Sequence, residues 1–211
     1  MIALDTAIPT VRNVDRALAL FGATPAFKNS GVDKFCANYA ARRDKNDGTG
    51  FYTTIRDAFK KARAAAAAGR DYDAEYRAAV SVIRSNWERS QMATAINYCY
   101  ATVATLSATT ITDSARATGM HSFGEAVGFL WGWSTTVASQ RTITSVQLSD
   151  ALALMRAPTS GPWTFYDVWQ KPATTLDELL AVAELLQATY GFSEAEMLDF
   201  KQNWISVQGR Q

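Results

Sequence analysis

Apolar side chains recur along most of this chain at three- and four-residue intervals, the spacing that gathers them on one face of an α-helix. Val14, Leu18 and Phe21 mark a short helix over 11–21, and Gly22-Ala23-Thr24-Pro25 ends it. A second short helix is predicted over 32–43. The stretch Asp44-Lys45-Asn46-Asp47-Gly48-Thr49-Gly50 joins turn-forming side chains to two glycines and reads as a loop. Phe51 to Ala68 then reads as a helix closed by Gly69.

The longest predicted helix runs from Asp73 to about Leu106. It carries two apolar stripes, Tyr76, Val80, Ile83 and Trp87, then Met92, Ile96, Cys99 and Val103. The step from Trp87 to Met92 is five residues, which turns the buried face around the axis, so this helix should be contacted on more than one side. A polar turn over 107–112 leads into a second long helix, Asp113 to about Ser139, with apolar Met120, Phe123, Val127, Leu130 and Trp131. A connection this short makes the two long helices antiparallel neighbours.

A shorter helix over 145–156 follows, then the loop Pro158 to Pro162 and an aromatic segment with Trp163, Phe165, Tyr166 and Trp169. Thr175 with Glu178 and Ser193 with Glu196 have the spacing of capping boxes and predict two helix starts. Strand ladders and hairpin signals are missing throughout. The expectation is an all-α chain in which residues 1–211 form a single domain. Its architecture is an antiparallel helical bundle, with two long central helices and shorter flanking ones.

Charge changes this picture little. Twenty-one basic residues oppose 20 acidic ones, leaving a formal charge of +1 and no global field to draw in nucleic acid. No apolar run is long enough for a transmembrane helix, and the start Met1-Ile2-Ala3-Leu4-Asp5 lacks the pattern of a secretory signal. Cys36 and Cys99 allow one disulfide or two separate thiols.

Candidate chemistry centres on Gly119 to Trp133, which contains the only histidine. On a helix His121 and Glu125, four apart, project from one face and can share a proton or ligate one cation. Gly124, Gly128 and Gly132 form a second row. Each costs about 1 kcal/mol against alanine in a helix interior, so close approach by another helix, or by a large residue such as Trp87, is expected to compensate. Glu88 is the candidate third ligand. A carboxylate, an imidazole and a phenolate such as that of Tyr98 together suit a hard ferric ion better than zinc. The alternative is purely structural, a hydrogen-bonded His121–Glu125 pair. The Asp44 loop places its glycine too early for a calcium loop and lacks the closing glutamate. There is no nucleophile elbow, phosphate-binding glycine loop or dinucleotide fingerprint.

Asn86-Trp87-Glu88-Arg89 through Tyr98, followed by Gly119-x-His121 and Glu125-Ala126-x-Gly128-Phe129-Leu130, resembles imelysin-like helical secreted proteins. It is also similar to the C-terminal half of algal iron-assimilation proteins of the phytotransferrin type. The resemblance implies an exported or surface-attached, non-enzymatic helical protein that binds iron or another small ligand in metal acquisition. The imelysin-like pattern is His-x-x-Glu, whereas this chain has His121-x-x-x-Glu125, and no peptidase activity is carried over. The alternative function is a structural or protein-interaction module, with the aromatic residues Trp163 to Trp169 facing a protein partner.

Overall fold

The computed structural model describes residues 4, 8–157, 166–170 and 172–211, and among these there is helix but no strand. The chain is all-α as its periodicity predicts. Two compact units are present, one of residues 1–91 with 202–211 and the other of residues 92–201.

In the first unit, α1 (Val11–Phe21) starts where the Thr10 hydroxyl accepts the Asn13 amide. It buries Val14, Ala17, Leu18 and Phe21, one stripe of the 3.6-residue repeat. It stops at Gly22, whose φ of 98° is left-handed and whose amide donates to the Leu18 carbonyl. The Gly22 carbonyl then accepts the Lys34 amide at 2.9 Å. A Cβ at position 22 would lie 2.0 Å from the Lys34 carbonyl oxygen.

The next helix, α2 (Phe35–Arg42), begins three residues later than its apolar pattern suggests. The Asp33 carboxylate accepts the Ser30 amide, and the turn so formed uses up Val32 to Lys34. α3 (Phe51–Ala68) matches its predicted bounds and ends at Gly69, with φ 100°. Phe21 is fully buried, with the rings of Tyr52, Phe59 and Trp87 at centroid distances of 6.3, 6.0 and 4.9 Å. Each such ring contributes roughly 1.5–3 kcal/mol by leaving water. Within the first unit, Trp87 thus packs edge-on against Phe21.

A single-turn 3-10 segment, Arg70–Tyr72, leads into α4 (Asp73–Leu106). Tyr76, Val80, Ile83 and Trp87 are all buried in the first unit, and Met92, Ile96 and Cys99 are completely buried in the second. The five-residue step in the apolar pattern thus coincides with the passage of the helix from one unit to the other.

In the second unit, α5 (Asp113–Ser134) is capped by the Thr112 hydroxyl, which accepts the Ala115 amide. Tyr98 of α4 stacks on Phe129 of α5 at 5.9 Å, and Leu106 of α4 meets the backbone at Gly119. The later contact on one helix is the earlier on the other, so the two run antiparallel. α5 ends five residues short of its expected limit. Ser134 and Thr135 turn their hydroxyls back onto the carbonyls of Trp131 and Gly132, and a 3-10 turn, Ala138–Gln140, follows.

The remaining helices of this unit are α6 (Ser145–Leu154), α7 (Tyr166–Gln170), α8 (Pro172–Tyr190) and α9 (Glu194–Asp199). α6 packs on α5 and α8, and α7 on α8. The capping box at Ser193 and Glu196 forms as expected. The one expected at Thr175 does not. α8 already begins at Pro172, a residue suited to a first helical turn, so Thr175 is an interior, buried position. Glu178 instead receives a bidentate pair of bonds from Arg156, both at 3.0 Å. Thr144 and Gln147 form an unanticipated box at the start of α6. The Pro158–Pro162 loop, with Trp163 and Phe165, lies outside the described residues.

The chain returns to the first unit as α10 (Trp204–Val207). Beyond it, Arg210 donates to the carbonyls of Asn29, Ala41 and Asp44 and to the Asn29 side chain. The Asp44 side chain, fully buried, accepts the amides of Asn46 and Thr53, which folds the 44–50 loop around one carboxylate. This is a turn built on an acid, as its composition suggests.

Candidate functional site

A recess in the first unit lies between α3 and the first turns of α4. Its position follows from composition. Ala64 to Ala68 favour helix strongly, yet their methyl groups reach only a short way from the axis. Ala58, Ala64, Ala65 and Ala68 face Ala78, Ala79 and Val82 across the turn at Gly69, leaving a groove of about 780 Å³. Tyr72, half exposed, also lines it. Larger side chains on either helix would have filled this space.

Polar groups contribute to its lining: Thr53, Thr54, Asp57 and Lys61 from α3, and Glu75 from α4. Arg56 donates to both Asp57 oxygens, at 2.8 and 3.1 Å, and these bonds hold the Asp57 carboxyl below the usual carboxylate range. Asp57 is thus an anion of fixed orientation beside an apolar channel. The sequence carried a signal for this groove, alanines at three- and four-residue spacing on both sides of a glycine stop. Read one helix at a time, those alanines suggest only helix formation.

The predicted metal ligands are differently placed. His121 Nε2 and Glu125 Oε1 are 3.8 Å apart on α5, with 70% and 29% of their side chains exposed, so the i, i+4 spacing does bring them together at the surface. Glu88 belongs to the first unit and is buried, with 1% exposure. Among the described residues no group of three His, Cys, Asp or Glu side chains is arranged to hold a metal ion. Two glycines of the expected row, Gly128 and Gly132, face open space. A Cβ at Gly128 or Gly132 would meet nothing within 4 Å, whereas one at Gly119 would lie 2.6 Å from the Leu106 side chain. Close packing is seen at Gly119, five residues before Gly124.

Tyr98, considered as a phenol donor, is stacked on Phe129. On α7, Tyr166 and Trp169 are 62% and 48% exposed, and the Arg116 guanidinium sits 4.1 Å from the Trp169 ring centroid. Cys36 and Cys99 are both free thiols. None of the helices described is long and apolar enough to cross a membrane.

These features define a helical protein with an alanine-walled groove in its first unit and an exposed imidazole–carboxylate pair in its second. The chain belongs to the family described as Domain of unknown function (DUF4856), whose model matches residues 12–193. Neither comparison, with curated proteins or with solved structures, returns a match.

Proposed function

We propose that this protein is a non-catalytic binding protein whose ligand is an elongated, mainly apolar small molecule lying in the α3/α4 groove. The observation that carries the reading is the groove itself. Its volume of about 780 Å³ lies within the range of small-molecule sites, and its lining is mainly apolar with a few polar groups. Asp57 and Glu75 favour a ligand with a hydroxyl or cationic end, and the alanine methyls exclude nothing slender.

The test is a groove-filling substitution. Ala78→Trp, on the exposed side of α4, occupies the channel without disturbing the buried stripe. An environment-sensitive apolar dye that gains fluorescence on wild type should lose at least about tenfold in affinity on the variant, as expected when a well-packed site is blocked. Equal binding by both proteins, with unchanged helical circular dichroism, removes the groove from consideration.

A second reading is metal binding in the service of iron acquisition, with an exported location implied by the resemblance to imelysin-like proteins. What favours it is the His121–Glu125 pair, 3.8 Å apart with the imidazole well exposed, which sets a nitrogen and an oxygen donor side by side for a cation carrying its own chelator or water. Calorimetric titration of ferric citrate should then give heat with wild type and none with His121→Ala. Identical heats in the two proteins would end that reading.

A further inference from the structure

The opposite flank of α3 borders a second recess, against α1, that the groove reading does not use. It measures about 530 Å³, and Val14, Leu18 and Phe59 form its buried floor. Phe27 stands at its mouth, held at φ 45° in the left-handed region, where a bulky residue is an outlier. Charge is confined to the lip and consists of Asp15, Lys60 and Arg63.

Arg63 Nε donates to Asp15 Oδ1 at 2.9 Å, so these two charges neutralise one another. Asp57, the carboxylate whose ionisation Lys60 also favours, is held bidentately by Arg56. The remaining charge at the lip is the Lys60 ammonium, 5.7 Å from the Phe27 ring centroid. The recess therefore has an apolar interior and one net positive charge at its opening. An amphiphile with an anionic head satisfies both parts at once. A cationic amphiphile meets a like charge, and a neutral one gains only the apolar contribution.

We infer that the α1/α3 recess binds the monomer of an unbranched aliphatic carboxylate, with its chain against Val14, Leu18 and Phe59 and its carboxylate at Lys60. Binding involves no covalent step. The ammonium already rests on an aromatic face, so little side-chain freedom is lost when the carboxylate arrives.

Calorimetry with decanoate and decyltrimethylammonium below their micelle concentrations, and decanol below its solubility limit, tests the inference on the intact protein. Decanoate should bind wild type most tightly, by roughly fivefold or more over the cation, at low ionic strength. Lys60→Glu changes an exposed side chain and should reverse the order of anion and cation. Ala19→Trp, which crowds the recess from the exposed side of α1, should abolish binding of all three, whereas Ala78→Trp in the α3/α4 groove should leave decanoate binding intact. Equal affinities for the three probes, an unchanged order in Lys60→Glu, or loss of decanoate in Ala78→Trp would overturn the assignment. So would an absence of binding in wild type. Failure of the groove reading appears separately, in the apolar dye.

Discussion

Arg210 shows how much a single side chain near the end of the described chain can hold. Its guanidinium reaches three carbonyls, of Asn29, Ala41 and Asp44, and the Asn29 side chain, and burial pushes its pKa down from the usual arginine value. Removing it leaves these part-buried acceptors without their donor. Arg210→Ala should cost about 2–4 kcal/mol, the sum expected for leaving two or more such groups unpaired. The urea midpoint should fall with the slope unchanged. Arg210→Lys should recover only part of the loss, because an ammonium lacks the planar fork. The partners lie more than 160 residues earlier in the chain, and nothing local marks them, so this contact was illegible in the sequence. The His121–Glu125 pair was legible for the opposite reason: both residues sit on one helix, where spacing alone determines proximity. Glu88 was not, because whether a helix position faces solvent depends on what packs against it.

Among the helices, α3 and α4 were readable almost to the residue because glycine stops and acidic starts are local signals. The Thr175 box misled because a proline three residues earlier starts the same helix, and Arg156, reached only through folding, claims the glutamate. The glycines of α5 depend on context in a similar way. A glycine in a helix interior signals either close contact or bare surface, and the sequence cannot distinguish them. Here the distinction gives opposite signs. Gly128→Ala should stabilise the protein by up to about 1 kcal/mol, since the new methyl meets open space and the helix gains propensity. Gly119→Ala should destabilise it by about 1–3 kcal/mol, because the methyl collides with Leu106 across the seam between α4 and α5. Thermal midpoints moving in opposite directions confirm the assignment, and a common direction refutes it.

For the molecule as a whole, the five-residue step on α4 falls where the chain passes between two compact units, whereas its spacing alone implies only that the helix is contacted on more than one side. The alanine-walled groove depends on two helices together and has no signal in either one alone. Global stability has an accessible reporter in Cys99. Complete burial pushes its thiol from an ordinary 9.0 up to about 12. The folded state thus favours the protonated form, so the associated stability is fully present below pH 9 and is lost as pH rises from 9 towards 12. Between those limits, wild type should lose stability more steeply than Cys99→Ala. At neutral pH, a disulfide reagent should modify Cys99 only as fast as the surrounding helices open. The tightest constraint, however, concerns an atom that is missing. Because the junction of α1 with the approach to α2 has no room for even one carbon at position 22, random mutagenesis can lengthen or recolour the neighbouring loop but returns a single amino acid there, and a lineage that drifts everywhere else must inherit that residue unchanged.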